Sequence, residues 1–248
     1  MESNLLTLRI QRFNPDRNPS HWIETYQVEM RKGMNLLEAL IEIQDEQDGT
    51  LALRYSCRGA VCGSCAMKVN DKVVLACRTH VEDLLGKNGL IEPLPYFPII
   101  RDLIVDMSTF FENYRRIEPY LHGKSVSSDS EYVMKEGERK EIDPYIQCIL
   151  CGICFGVCPA FNRDSRFLGP AMLAKAYRFF ADSRDKRDEK ILKKVNDQNG
   201  VWGCNTVFQC VRVCPKEVPP THAIVKMRRE ILRFRFTSFI SRFRSLIS

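Results

Sequence analysis

The chain has 248 residues, of which 44% are hydrophobic and 27% are charged, and its formal net charge is +6. This length is enough for two ordinary domains, each with its own core. No apolar run approaches the about 18 residues of a membrane span, and the opening residues MESNLLTLRI lack the regions of a signal peptide. We therefore expect a globular chain that stays in the cytoplasm and meets membranes only peripherally or through partners.

The first part of the chain shows the pattern of two hairpins around a short helix. Residues 5–13 and 22–30 alternate apolar and polar side chains on either side of a turn-rich segment, which predicts a hairpin. Asn35 and Glu38 form a capping-box pattern, which predicts a helix of about ten residues. A second hairpin, MKVNDKVVLAC, should turn at residues 70–71. This order of elements predicts a β-grasp domain.

The chain has eleven cysteines, and in a reducing compartment so many thiols indicate metal binding and not disulfides. An odd number of cysteines also cannot pair completely in disulfides within one chain. The first four follow the C-x4-C-x2-C pattern with one distant thiol that is typical of a plant-type [2Fe-2S] loop. These predicted ligands are Cys57, Cys62, Cys65 and Cys77. Gly59 and Gly63 fit a loop whose backbone approaches sulfur closely, although ordinary turn glycines remain the alternative.

The sequence changes character between residues 106 and 142, where a short aromatic stretch gives way to a polar run. We place the domain junction here, with a first domain at 1–105 and a second at 106–248. In the second domain, residues 170–180 begin with proline and continue with apolar side chains at helical spacing. The fold class is therefore α+β, with a β-grasp domain followed by a mostly α-helical domain.

Two related cysteine motifs organise this second domain. The first, C-I-L-C-G-I-C-F-G-V-C-P, has the bacterial-ferredoxin spacing, in which the fourth cysteine ligates the other cluster. The second, C-N-T-V-F-Q-C-V-R-V-C-P, repeats it except that Val207 replaces the second cysteine. The crossing rule assigns a [4Fe-4S] cluster to Cys148, Cys151, Cys154 and Cys214. Three thiols remain for a [3Fe-4S] cluster, namely Cys158, Cys204 and Cys210. The predicted architecture is therefore an N-terminal β-grasp plant-type ferredoxin domain followed by a mostly α-helical bacterial-type ferredoxin domain.

A structural zinc site is the alternative for either motif alone, because C-x2-C pairs also bind zinc. A disulfide framework is disfavoured because thiols two residues apart rarely reach bridge geometry. Three successive thiols, the Cys-Pro ending and its repetition favour iron–sulfur clusters over both.

The C-terminal segment 226–248 holds seven Lys or Arg and one Glu, which accounts for the whole net charge. A helical apolar stripe runs beside these cations and consists of Leu232, Phe236, Phe239, Phe243 and Leu246. The pattern suits a helix at an anionic membrane surface or on a partner, and a C-terminal core helix is the alternative. Nucleic-acid binding is disfavoured, because charges balance elsewhere in the chain.

With its motifs in this order, the sequence closely resembles the iron-sulfur subunit of the succinate dehydrogenase/fumarate reductase family. The likeness covers nearly the whole chain. Its motifs are YSCRGAVCGSC, LPYFPIIRDLIVDM, CILCGICFGVCPAF, FLGPA and CNTVFQCVRVCPK. The resemblance implies an electron-transfer subunit of a succinate:quinone or quinol:fumarate oxidoreductase, with no catalytic residues and no substrate site of its own. No nucleotide-binding or nucleophile motif argues otherwise.

The resemblance also implies partners and a location. A flavoprotein carrying FAD would stand on the [2Fe-2S] side. A membrane anchor of one or more subunits, with heme b as an optional group, would bind quinone on the [3Fe-4S] side. The subunit would then lie peripherally on the cytoplasmic face of the inner membrane, held there by its partners.

The predicted quinone-site residues are Pro159, Asn205 and Arg228. Many succinate dehydrogenases carry a Trp pair and a His where this chain has Asn162, Arg163 and Asn205. These differences favour a menaquinone-linked fumarate reductase. The alternatives are the succinate dehydrogenase direction, a soluble thiol-dependent fumarate reductase or other ferredoxin-like carrier, and a zinc-binding interaction protein.

Overall fold

The structure, a computed structural model, describes residues 5–84, 89–123 and 131–247, with side chains up to residue 236. The chain forms two compact units. The first contains residues 1–109 together with Ile149–Val157, and the second contains Phe110–Cys148 and Cys158–Ser248. The units are therefore not two continuous stretches of sequence. The domain boundary placed at residue 105 stays a sequence-based prediction.

The first unit is built on a five-stranded mixed sheet. Its elements are β1 (Leu5–Phe13), β2 (His21–Glu29), α1 (Leu36–Glu42), β3 (Ala66–Val69), β4 (Lys72–Leu75), β5 (Leu90–Glu92), β6 (Ile99–Arg101) and β7 (Ile104–Val105). The strand order β2-β1-β5-β3-β4 contains two antiparallel hairpins joined through β5, which runs parallel to β1 and antiparallel to β3. This confirms both predicted hairpins.

The helix that follows the first hairpin begins where its capping box predicts. The Asn35 side chain accepts the backbone N–H of Glu38, and the Glu38 carboxylate accepts the backbone N–H of Asn35. The α-helix has seven residues and continues as a π-helical turn at Ile43–Gln47. Leu36, Leu37 and Leu40 are at most 1% exposed, because leucines at helical spacing share the buried face of the helix.

A buried arginine interrupts the apolar face of the first strand. The side chains of β1 alternate, so that Leu8, Ile10 and Arg12 share the buried face. Arg12 is only 2% exposed, and its guanidinium lies 3.0 Å from a carboxylate oxygen of Asp102. It also makes an ion pair with Asp48 and donates to the Tyr26 hydroxyl.

These contacts join distant parts of the first unit. Asp102 also accepts the backbone N–H groups of Phe13 at 3.0 Å and Ala52 at 2.8 Å. Burial alone would raise the pKa of Asp48, but hydrogen bonds from Thr50, Tyr26 and Arg12 outweigh it and hold that pKa well below its usual range. The ionised carboxylate therefore stabilises the fold above about pH 4, and this contribution is lost as the pH falls.

The segment 149–157 packs against residues 94–107 of the same unit. Gly152 and Gly156 leave room for Leu94, because a Cβ added at either glycine would lie 3.0 Å from a Leu94 methyl group. The Phe97 and Phe155 rings lie 6.2 Å apart, and Phe155 is fully buried. The apolar stretch LPYFPIIRDLIVDM thus forms the surface against which part of the first bacterial-type motif packs.

The second unit is mainly helical. Its elements are α2 (Ser108–Arg116, which begins at the end of the first unit), α3 (Glu136–Ile146), α4 (Pro159–Arg163), α5 (Pro170–Phe180), α6 (Asp188–Val195), α7 (Gln209–Arg212) and α8 (Pro220–Ile247). Helix α5 spans the predicted residues and has Pro170 in its first turn. Together the two units confirm the predicted α+β class.

The last helix divides into a buried and an exposed part. Ala223, Ile224, Met227 and Ile231 of α8 are at most 3% exposed, whereas Phe236 is 67% exposed. The core-helix alternative therefore describes the helix up to Ile231. The apolar stripe begins beyond it, with Leu232 at 54% exposure. Its members Phe239, Phe243 and Leu246 lie outside the described side chains.

We predict that Arg12→Met lowers the free energy of unfolding by about 3–5 kcal/mol, because it leaves the buried carboxylate of Asp102 without its cation. The measurement is the urea midpoint followed by circular dichroism. Arg31→Met is the matched control. Arg31 is 62% exposed and pairs with Glu42 at the surface, so its loss should cost at most about 1 kcal/mol. Equal losses in the two variants would contradict a structural role for the buried pair.

Candidate metal centres

The loop between α1 and β3 wraps backbone N–H groups around one sulfur atom. The N–H groups of Gly59, Val61 and Cys62 donate to Cys57 Sγ at 3.2–3.4 Å. The Cys57 N–H in turn points to Cys62 Sγ at 3.5 Å. Such N–H···S contacts stabilise negative charge on sulfur, which is what a cluster-bound thiolate carries.

The second hairpin brings the last predicted ligand back to this loop. Ala66 pairs with Leu75 in the β3–β4 register, and the Ala76 N–H donates to the Cys65 carbonyl at 3.0 Å. Cys77 follows directly and lies within hydrogen-bond reach of Cys65. The four thiols predicted to hold a [2Fe-2S] cluster therefore come together in the first unit.

The thiols of this group differ in their electrostatic surroundings. Burial would raise the pKa of Cys62, but hydrogen bonds from Ser64 and the backbone of Cys57 outweigh it and lower this pKa to about 6. Burial raises the pKa of Cys65 to about 12, and the nearby thiols of Cys77 and Cys62 add to the effect. Metal binding would displace the remaining thiol protons, and the N–H groups that point to Cys57 Sγ and Cys62 Sγ suit the negatively charged sulfur of a metal cluster.

The loop also holds backbone conformations that side chains normally avoid. Arg58 and Ala60 have φ of 55° and 57°, in the left-handed region. Each such residue costs of order 1 kcal/mol or more, and such costs concentrate at functional sites. Thr206 and Phe208, in the second bacterial-type motif, share this conformation with φ of 58°.

Three further thiols come together in the second unit. Cys158 stands just before α4, Cys204 follows the 3-10 turn Val201–Gly203, and Cys210 lies in α7. Burial raises the pKa values of Cys158 and Cys210, and the proximity of Cys204 to both raises them further. These are the three residues that the sequence assigns to a [3Fe-4S] cluster.

Hydrogen bonds reach two of these sulfur atoms. The Thr206 N–H donates to Cys204 Sγ at 3.3 Å, and the Thr221 hydroxyl lies 3.1 Å from Cys210 Sγ. Thr221 is 1% exposed, so this hydroxyl is shielded from water. Because a cluster-bound thiolate has no proton, the hydroxyl would be the donor in the loaded site. Sequence motifs did not single out Thr221, which lies outside the cysteine spacing.

The thiols assigned to the [4Fe-4S] cluster belong to both units. Cys151 and Cys154 lie in the segment Ile149–Val157 of the first unit, and Cys148 and Cys214 lie in the second. Their assignment as one ligand set stays a prediction. Among the residues that the structure describes, no group of three or more His, Cys, Asp or Glu side chains is arranged to hold a single metal ion.

The predicted quinone-site residues have different surroundings. Pro159 is half-buried in the first turn of α4, and Asn205 is exposed beside Cys204. The Arg228 guanidinium donates to the carbonyls of Val201 and Cys204, with shortest distances of 2.6 and 2.7 Å. These hydrogen bonds therefore stabilise the loop that carries the predicted cluster ligand Cys204. A lone basic residue gave no sequence signal for this contact.

Comparison with known proteins agrees with this geometry. A family model described as "2Fe-2S iron-sulfur cluster binding domain" matches residues 7–112, and one described as "4Fe-4S dicluster domain" matches residues 145–218. The fold and its thiol groups thus define an iron–sulfur protein with a 2Fe-2S domain followed by a dicluster domain.

The relatives are more specific. The chain is 40% identical over 232 residues to a succinate dehydrogenase iron-sulfur subunit of Coxiella burnetii, covering 92% of this chain and 97% of the relative. It is 39% identical over 234 residues to a fumarate reductase iron-sulfur subunit of Haemophilus influenzae, covering 90% and 91%. The chain therefore belongs to the family of succinate dehydrogenase/fumarate reductase iron-sulfur subunits.

A solved structure supports this membership. A chain of the Mycobacterium smegmatis Sdh1 complex in the apo form matches with a TM-score of 0.83 and 25% identity, covering 94% of this chain and 98% of that chain. Within the described part of this chain, no helix has the length and apolar character needed to cross a membrane.

We predict that Thr221→Val lowers the reduction potential of a cluster held by Cys210, because the hydroxyl stabilises the more negative reduced state. A hydrogen bond stronger by about 1 kcal/mol in the reduced state corresponds to about 40 mV for one electron. The measurement is a redox titration followed by EPR. Thr221→Ser keeps the hydroxyl and is the control. Equal potentials in the Val and Ser variants would rule out this hydrogen bond as a determinant.

Proposed function

We propose that the chain relays electrons between the FAD of a partner flavoprotein and a membrane quinone. The observation that carries this proposal is the assembly of separate thiol groups within one chain, each beside N–H or hydroxyl donors suited to cluster sulfur. The chain's own residues would hold the clusters and tune their potentials. Bond-making chemistry on the dicarboxylate would belong to the flavoprotein.

The proposed ligand sets follow the sequence assignment. The [2Fe-2S] set is Cys57, Cys62, Cys65 and Cys77, and the [4Fe-4S] set is Cys148, Cys151, Cys154 and Cys214. The [3Fe-4S] set is Cys158, Cys204 and Cys210. In this family-based arrangement the [2Fe-2S] cluster faces the flavin and the [3Fe-4S] cluster faces the quinone. Membrane anchor subunits, with or without heme b, would hold the protein peripherally on the cytoplasmic face of the inner membrane.

We further propose that the physiological reaction is quinol:fumarate reduction with menaquinone. Asn162, Arg163 and Asn205 stand where many succinate dehydrogenases have Trp and His residues, and this difference supports the proposal. Arg228 supports it as a basic residue where some fumarate reductases place Lys. Its contact with the Cys204 carbonyl would put this cation beside the [3Fe-4S] site.

Purification of the native complex under anaerobic conditions tests the relay. A flavoprotein and a membrane subunit should accompany the chain, with about nine irons per chain, the sum for the three cluster types. Menaquinol analogues should support faster fumarate reduction than ubiquinone analogues support succinate oxidation. Stoichiometric zinc with little iron would overturn the relay. The reverse preference would favour the succinate dehydrogenase direction, and a soluble complex active with thiols would favour the other alternative.

A substitution at Val207 tests the three-thiol assignment. This side chain is 44% exposed and offers no sulfur ligand. Val207→Cys should complete the cysteine run, allow a fourth iron to bind and lower the cluster's potential, because the added thiolate brings negative charge. Low-temperature EPR of the oxidised complex should show a [3Fe-4S] signal in the unchanged protein that the variant loses. Val207→Ala is the control and should keep the signal. A signal that persists in the Cys variant would contradict the assignment.

A further inference from the structure

The loop that carries the predicted [2Fe-2S] ligands touches the backbone of a residue from another cluster motif. A Cβ added at Gly63 would lie 2.8 Å from the Cβ and 2.9 Å from the Cα of Cys151. Both residues belong to the first unit. Gly63 lies between the predicted ligands Cys62 and Cys65, and Cys151 is a predicted ligand of the [4Fe-4S] cluster.

This contact can exist only because position 63 has no side chain. Carbon atoms in contact normally lie about 3.5–4.0 Å apart, so a methyl group at Gly63 would force the two segments apart by about 1 Å. Backbone and Cβ atoms cannot rotate away as a long side chain can. Gly63 also has φ of 75°, a conformation that favours glycine.

The partner segment is held from its other side. Residues 149–157 pack against the apolar surface formed by residues 94–107. Leu94 contacts Gly152, and the Phe97 ring packs near the Phe155 ring. Ile153 and Phe155 are at most 1% exposed. Close packing on this side means that a group inserted at Gly63 cannot be absorbed without moving one of the two motifs.

We propose that Gly63 is a positioning residue for electron transfer, because its missing side chain lets the two cluster motifs meet and sets the distance between the [2Fe-2S] and [4Fe-4S] clusters. The inference rests on the proposed function and assigns a role that a turn glycine would not have. In succinate oxidation one electron would pass from a [2Fe-2S] cluster held by the loop of Cys62 and Cys65 to a [4Fe-4S] cluster held in part by Cys151; the first would be oxidised and the second reduced, with no bond or proton transferred. The path is reversed during fumarate reduction. Tunnelling rates fall exponentially with distance, so even a small separation slows this step.

Three alanine variants of the complex separate positioning from other effects. Gly63→Ala inserts the methyl group into the contact. Gly49→Ala adds a methyl group elsewhere in the first unit, where its Cβ would meet only the Gln44 carbonyl oxygen at an ordinary 3.8 Å. Gly33→Ala imposes a methyl group at a similar φ of 77° with nothing within 4 Å, which controls for backbone strain.

The decisive measurement is the magnetic interaction between the two reduced clusters, read from microwave power saturation of the [2Fe-2S] EPR signal. Dipolar interaction falls with the cube of distance and its effect on relaxation with the sixth power, so a separation larger by about 1 Å should make Gly63→Ala relax more slowly than both controls by up to about twofold. Its quinone-linked turnover should fall severalfold, while turnover with an acceptor that takes electrons near the flavin should change less. Relaxation and turnover equal to those of the controls would overturn the inference.

Iron content keeps the possible failures distinct. An unchanged complex without iron–sulfur clusters would refute the proposed function itself. A fully loaded complex whose Gly63→Ala variant behaves like the controls would refute only the positioning role. If Gly63→Ala loses its clusters, the same measurement is made on the wild-type complex. A wild-type [2Fe-2S] signal that relaxes no faster when the [4Fe-4S] cluster is reduced would refute the close approach of the two clusters.

Discussion

The first unit depends on a cation placed where its strand pattern calls for an apolar side chain. Arg12 lies on the buried face of β1 and joins Asp48, Asp102 and Tyr26 in one network. Through Asp102 this network also reaches the Ala52 backbone, five residues before the first predicted ligand. Because a buried charge without its partner is costly, the network holds these segments in one arrangement. The network thus holds in place the backbone segment that leads into the loop of predicted [2Fe-2S] ligands.

Hydrogen-bond donors around sulfur are the common feature of the thiol groups in both units. Backbone N–H groups surround Cys57 in the first unit. In the second unit the Thr206 N–H donates to Cys204, and the Thr221 hydroxyl lies 3.1 Å from Cys210 Sγ, where it would donate to a thiolate. Such donors lower the energy of negatively charged sulfur and raise cluster potentials. In the first loop, the left-handed conformations of Arg58 and Ala60 accompany the aiming of three N–H groups at one sulfur atom, and they carry a conformational cost.

Membership of the family establishes the type of subunit, but it does not establish whether the complex oxidises succinate or reduces fumarate. The relatives include a succinate dehydrogenase and a fumarate reductase subunit with nearly equal identity, 40% and 39%. Electron relays are reversible, so a shared set of clusters serves either reaction. Under the proposed function, the bias would depend on the quinone and on residues near the three-thiol group of the second unit, where this chain has Asn205 and Arg228, which is hydrogen-bonded to the Cys204 carbonyl.

The sequence alone determined the two hairpins, the start of the first helix and the α+β class, because hairpin periodicity and the Asn35 capping box are local signals. Thiol spacing, also a local signal, predicted how the cysteines are grouped. Other features depend on residues that are far apart in sequence and meet only when the chain folds. Only the tertiary structure decided that residues 149–157 pack with the first unit, that Thr221 reaches Cys210, and that Gly63 meets Cys151. A glycine or threonine in sequence has no spacing pattern that identifies its distant neighbour, so packing rather than periodicity fixed these contacts.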